Sequence, residues 1–166
     1  MSEEKQPENE NANVEQAQQD GTAGPQFNIQ RLYLKDVSLE VANSPQVFLE
    51  KWEPELNLDV NTASSKLEDN IHEVILTLTA TVKLKENTAF LVEVKQAGIF
   101  AMHGFADEEK KPMLGAFCPN LLYPYARQVI TTLVAQAGFP PVYLQHINFD
   151  ALYQQHEQQQ AEEAKS

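Results

Sequence analysis

The chain has 166 residues, 42% of them hydrophobic, and a formal net charge of −12. That length suits one domain, and so acidic a balance excludes a nucleic-acid binder, which needs Lys and Arg against phosphate. The single cysteine, Cys118, excludes an intramolecular disulfide and fits a reducing compartment, and no run approaches the ~18 apolar residues of a membrane span.

Residues 1–26 hold no aromatic side chain and are dominated by Glu, Gln, Asn and Asp. They are expected to form a disordered acidic tail, because they cannot bury enough apolar surface to offset chain entropy. Residues 157–166 read the same way, as a flexible tail. The N-terminus has neither a basic n-region nor an apolar h-region, so no signal peptide is expected and the protein reads as cytoplasmic. Between the tails, 27–156 can build one core.

From Phe27 to Val41 the apolar residues alternate, but their parity slips twice. Phe27 and Ile29 share one parity, Leu32 and Leu34 the other, and Val37, Leu39 and Val41 return to the first. A bulge, or a strand buried on both sides, produces such a slip, and Asp36, Ser38 and Glu40 then share a face. Asn43-Ser44-Pro45 ends the strand, and a connection carrying Phe48 and Trp52 runs to Pro54. Glu55–Asn61 alternates again, with Leu56, Leu58 and Val60 on one side. Ile71–Lys85 is the clearest strand, with Val74, Leu76, Leu78, Ala80, Val82 and Leu84 facing one way. After a turn at 85–87, Ala89–Met102 places Phe90, Val92, Val94, Gln96 and Phe100 opposite Leu91, Glu93, Lys95, Ala97 and Ile99. Four strands joined by short links predict an antiparallel sheet.

Gly104, the charges at 107–111 and Pro112 predict an exposed loop over 103–114. A helix follows from Pro119, with Leu121, Leu122, Tyr125, Val129, Ile130, Leu133 and Val134 at helical spacing. Gly138 is placed to cap it, and Pro140-Pro141 prevents its continuation. Arg127 is the one charge between 119 and 139. So bare a helix is expected to be covered on more than one side, which in a small chain points to a subunit interface. A last helix is expected to start at Asn148 or Asp150, with Phe149, Leu152, Tyr153 and His156 on one face. The fold class is therefore α+β.

Chemistry-bearing patterns are lacking. The histidines at 72, 103, 146 and 156 have no metal-ligand spacing, Cys118 has no second thiol, and no phosphate-cradling glycine loop or nucleophile elbow occurs. No metal, cofactor or catalytic residue is expected, and the chain does not read as an enzyme. Two surfaces remain. Asp36, Glu40 and Glu93 form an acidic patch if strands one and four share an outer face. Trp52, Phe48, Leu56, Leu58, Val60, Phe149, Leu152 and Tyr153 either cap the core or line a groove.

The segments IQRLYLKDVSLEVAN (29–43), TASS (62–65), EVKQAGIF (93–100), GAFCPNLLYPYAR (115–127) and NFDALY (148–153) together resemble the SecB family of protein-export chaperones. The resemblance runs from about Phe27 to Tyr153. It departs from the usual family pattern at His146, where a proline is common, and in the highly charged stretch 105–113. It implies a four-stranded antiparallel sheet with a long helix and a C-terminal helix, assembling as a homotetramer, a dimer of dimers. It implies an ATP-independent chaperone that keeps unfolded precursor proteins translocation-competent and delivers them to the SecA motor. The SecA-binding positions would be Asp36, Glu40, Leu91 and Glu93, meeting a basic, zinc-bearing tail. The client-binding positions would be Trp52, Leu56, Leu58, Val60, Leu152 and Tyr153. The oligomer interface would use Val92, Val94, Gln96, Tyr125, Val129 and Leu133. Two alternatives stand beside this reading: a SecB-like chaperone dedicated to a toxin–antitoxin system, and a carrier of a small apolar ligand in a closed cavity.

Overall fold

The computed structural model describes residues 24–165. Four strands, β1 (Gln26–Glu40), β2 (Pro54–Glu68), β3 (Ile71–Leu84) and β4 (Asn87–His103), form one antiparallel sheet in the order β1-β4-β3-β2. The interior strands are the two most hydrophobic ones, and both edge strands carry a larger share of polar residues, β2 most of all. β2 and β4 are longer than the alternation predicted.

The two parity slips in β1 are two register shifts against β4, one between Ile29 and Arg31 and one between Leu34 and Asp36. Gln30 and Lys35 are the extra residues. Each bulge reverses the facing of the residues beyond it, so Leu32, Val37 and Leu39 all stand on the helix side of the sheet. Arg31, Tyr33, Asp36, Ser38 and Glu40 stand on the other, outer side.

The stretch 105–113 is not the loop its composition suggested. Residues 107–112 form α1 (Asp107–Pro112), which continues through a π turn (Met113–Phe117) into α2 (Cys118–Gln136), giving 30 helical residues without a break. Glu109 reaches back to accept the Ala106 N–H at 2.8 Å, and three acids occupy the first turn, where the helix dipole favours them. Pro112, read as part of a loop, and Pro119, read as the helix start, lie on either side of the π turn where the hydrogen-bond ladder shifts. The Cys118 N–H donates to Met113 O, one residue further back than in an α-helix, and Pro119 has no N–H to place. At the far end the Gly138 N–H donates to Ala135 O and the Phe139 N–H to Val134 O, closing a Schellman cap around Gly138 at φ +90°.

Leu122, Ala126, Ile130 and Val134, four residues apart, are fully buried against Val74–Leu84 of β3 and Phe90–Met102 of β4. The remaining helix α3 (Phe149–Glu163) is capped by Asn148, whose side chain accepts the Ala151 N–H at 3.0 Å. Its first turn docks through buried Phe149. It then runs on to Glu163, so the first residues of the expected C-terminal tail are helical, although every residue from Gln154 onward is exposed.

Candidate binding surfaces

The outer face of the sheet carries no helix. There the register places Glu40 beside Leu91, Ser38 beside Glu93 and Asp36 beside Lys95. All four residues of the expected acidic site, Asp36, Glu40, Leu91 and Glu93, thus stand on one face of two neighbouring strands. The patch is not purely acidic. Glu93 accepts from Thr79 Oγ1 at 3.2 Å and lies 3.8 Å from Lys95 Nζ, which sets a cation among the carboxylates.

The opposite face carries the apolar candidates. Leu56, Leu58 and Val60 pair with Val82, Ala80 and Leu78, so they share the helix side of the sheet. The helix lies over β3 and β4, and Leu56 keeps 42% of its surface exposed. At one end of this strip Phe139 gathers three rings: Phe48 and Phe90 at 5.0 Å and Trp52 at 5.7 Å. The loop aromatics fold back on the core, yet Phe48 remains half exposed. At the other end a surface cleft of about 290 Å³ lies between β2 and α3, lined by Val60, Thr62, Gly115, Leu152, Tyr153 and His156. Gly115 makes room there for a ring. A Cβ on it would stand 2.3 and 2.5 Å from Tyr153 ring carbons, so the ring lies directly on the glycine backbone. Of the expected client residues, Val60, Leu152 and Tyr153 meet in the cleft, Trp52 lies at the aromatic end, and Leu56 and Leu58 stand on the strand between. Gly115 and Phe139 were not anticipated. The one signal for Phe139 is its place just after the capping glycine, where an apolar residue commonly packs back on the helix.

The third surface lies along α2. Gln96, Tyr125, Gln128, Val129, Thr132 and Leu133 line an apolar depression, and Tyr125 is 49% exposed. Three β1 residues, Ile29, Leu34 and Val37, are also well exposed. Two of the expected interface residues do not belong here. Val92 and Val94 are fully buried in the chain's own core beneath α2 and have no surface left for a partner. Gln96 is 4% exposed, and its Nε2 donates to the Tyr33 carbonyl at 3.0 Å, beside the second bulge.

Among the described residues no group of His, Cys, Asp and Glu is arranged to hold a metal ion, and no helix is long and apolar enough to cross a membrane. Burial pushes the Cys118 thiol up to about 12, the opposite of what a nucleophile needs.

The family described as preprotein translocase subunit SecB matches residues 19–160. The chain belongs to the SecB family. It is 50% identical over 136 residues to the protein-export protein SecB of Nitrosococcus oceani, covering 81% of this chain and 83% of that one. It is 52% identical over 138 residues to that of Chromobacterium violaceum, covering 83% and 92%. Relatives this close make it a protein-export chaperone and not an enzyme. The fold also matches a SecB-like chaperone of Mycobacterium tuberculosis, solved with a peptide from an antitoxin, at a TM-score of 0.62, 16% identity, and coverage of 73% and 90%. At that identity the likeness speaks for the fold alone.

Proposed function

We propose that this SecB-family chain captures unfolded precursor proteins in the cytoplasm along its helix-side strip and passes them to SecA through its outer face. The observation that carries the client site is the uncovered apolar edge of the sheet: Leu56, Leu58 and Val60 run between Trp52 with its ring cluster and the cleft at Leu152 and Tyr153. An unfolded chain offers many apolar side chains. Each one fully buried contributes about 1.5–3 kcal/mol, so a long shallow strip holds several without demanding a sequence. The closed-cavity carrier has less support, because the space between α2 and the sheet is filled by fully buried side chains, and the clefts beside α3 and along α2 open at the surface.

Asp36, Glu40, Leu91 and Glu93 form the SecA surface, suited to a basic segment. Opposite charge also speeds such an encounter and makes it salt-dependent. The working assembly is a homotetramer, a dimer of dimers, with Tyr125, Val129 and Leu133 at a subunit contact beside Gln96. This assembly multiplies weak client contacts into avidity. Residues 27–156 are the chaperone domain, with the acidic N-terminal segment and the end of α3 outside it. Residues 1–23 lie outside the described structure.

The test combines light-scattering mass with two binding assays. The protein should run near ~75 kDa, about four chains of 18.7 kDa, and hold an unfolded secretory precursor but not its folded form. Trp52→Ala with Leu58→Ala should lower client affinity without changing the mass. Lysine at positions 36, 40 and 93 should weaken SecA binding and leave client capture intact. A variant pair that captures clients normally would place the groove elsewhere.

A further inference from the structure

Glu73, on β3, is the one charged side chain among the described residues that is buried, at 9% exposure, and it is buried on the face no helix covers. What covers it comes from β1. The Tyr33 hydroxyl donates to Glu73 Oε1, and Lys35 Nζ donates to the same oxygen at 2.7 Å. Both side chains cross β4 to reach it, passing over Ala97, which lies opposite Tyr33 and is fully buried despite facing outward. Lys35 is the extra residue of the second bulge. On the helix side Gln96 Nε2 donates to the carbonyl of Tyr33. The bulge is therefore gripped through the sheet from both faces, by one carboxylate and one amide.

The bulge decides which face the residues after it occupy. With it, Asp36, Ser38 and Glu40 face outward beside Lys95, Glu93 and Leu91, and Val37 and Leu39 stand on the helix side, where Leu39 packs against the core. Slipping it out would reverse all five, because the side-chain period of a strand is two. Edge strands resist such slips poorly unless something pins them. We propose that Glu73 is a positioning residue for the SecA surface, holding Lys35 and Tyr33 so that Asp36 and Glu40 present their carboxylates outward. This rests on the reading of the outer face given above. The charges agree: Lys35 and then Tyr33 hold the Glu73 carboxyl below its usual range, and the bond to Glu73 raises the Tyr33 hydroxyl to about 12.

The test uses full-length protein and purified SecA. Glu73→Ala should weaken SecA binding roughly tenfold (one decade of affinity) and speed amide exchange over residues 34–40. Capture of an unfolded precursor and the assembly mass should stay unchanged. Glu73→Gln, which can still accept from Tyr33, should lose less. The exchanged pair Lys35→Glu with Glu73→Lys should recover most of the loss. If the Ala variant folds poorly, the Gln variant and the exchanged pair carry the test. Unchanged SecA affinity in Glu73→Gln and Glu73→Ala overturns the proposal, as does a parallel loss of client capture, which marks a merely structural role. Asp36→Lys with Glu40→Lys separates the two readings. If that variant still binds SecA, the assignment of the face fails. If it loses binding while Glu73→Ala keeps it, only the positioning role fails.

Discussion

Replacing Gly115 by alanine tests how α3 is held. The residue is helical, and elsewhere in a helix the change would stabilise by about 0.5–1 kcal/mol, because alanine has less backbone freedom to lose. Here the new methyl would meet two Tyr153 ring carbons at 2.3 and 2.5 Å, where ordinary contact begins near 3.4 Å, so the ring must retreat by about 1 Å. Such overpacking costs about 1–3 kcal/mol. The single variant should therefore be neutral to about 2.5 kcal/mol less stable. In a Tyr153→Ala background the obstacle is gone, and the same change should stabilise by about 0.5–1 kcal/mol. Urea unfolding of the four proteins at one fixed concentration closes the cycle, and amide exchange over 149–163 reports where the loosening falls. Equal stabilisation by Gly115→Ala in both backgrounds would refute the claim that the ring rests on the glycine.

Two further outcomes concern the titrating groups. Cys118, raised to about 12 by burial, should be inert to thiol reagents at pH 8 in the folded protein and react fully in urea, so modification of the native state would show that the start of α2 opens. The Tyr33–Glu73–Lys35 cluster should make stability fall at both extremes of pH. The depressed Glu73 contributes above the ordinary carboxylate range and loses its contribution as pH falls through its lowered folded value. The raised Tyr33 contributes below pH 10 and loses its contribution as pH rises through about 12. Tyr33→Phe should flatten the alkaline limb of the urea midpoint against pH, and an unchanged limb would show that the hydroxyl is not coupled to folding.

Much of the fold could be read from alternation. Val74, Leu76, Leu78, Ala80, Val82 and Leu84 all face the core, and the parity slips at 29–32 and 34–37 became two bulges, because a period of two records every inserted residue. The shared face of Asp36 and Glu40 came from the same counting, whereas Glu93 joins them only through the pairing of β1 with β4. Stretches whose conformation depends on partners far along the chain were harder to read. The helix over 107–117 was obscured by Gly104, the charge run and Pro112, which read as a loop, and by Pro119, which read as the first helical turn although a π turn leads into it; its start is secured by the backward reach of Glu109 to a backbone N–H. Strand order was not legible either, since pairing β1 with β4 rather than β2 depends on a long connection and on core packing. That pairing also explains why Val92 and Val94 belong to the chain's own interior: an interior strand beneath a helix has no free face. Tyr33 and Glu73 are forty positions apart, and only the register brings them together.

The way α3 is attached has a mechanical consequence. The helix is anchored at its start, by Phe149 and by Tyr153 lying on Gly115, while the ten residues from Gln154 to Glu163 are all exposed and reach the rest of the chain only along the cleft face, at Gln155, His156 and Gln159. At 1.5 Å per residue that exposed stretch is ~15 Å long. A tilt of about 20° at the anchor, little more than a ring's adjustment on a glycine, sweeps the tip through about 5 Å. One wall of the cleft beside β2 is therefore a helix held mainly at its near end, so the width of the cleft is tied to how Tyr153 seats on Gly115.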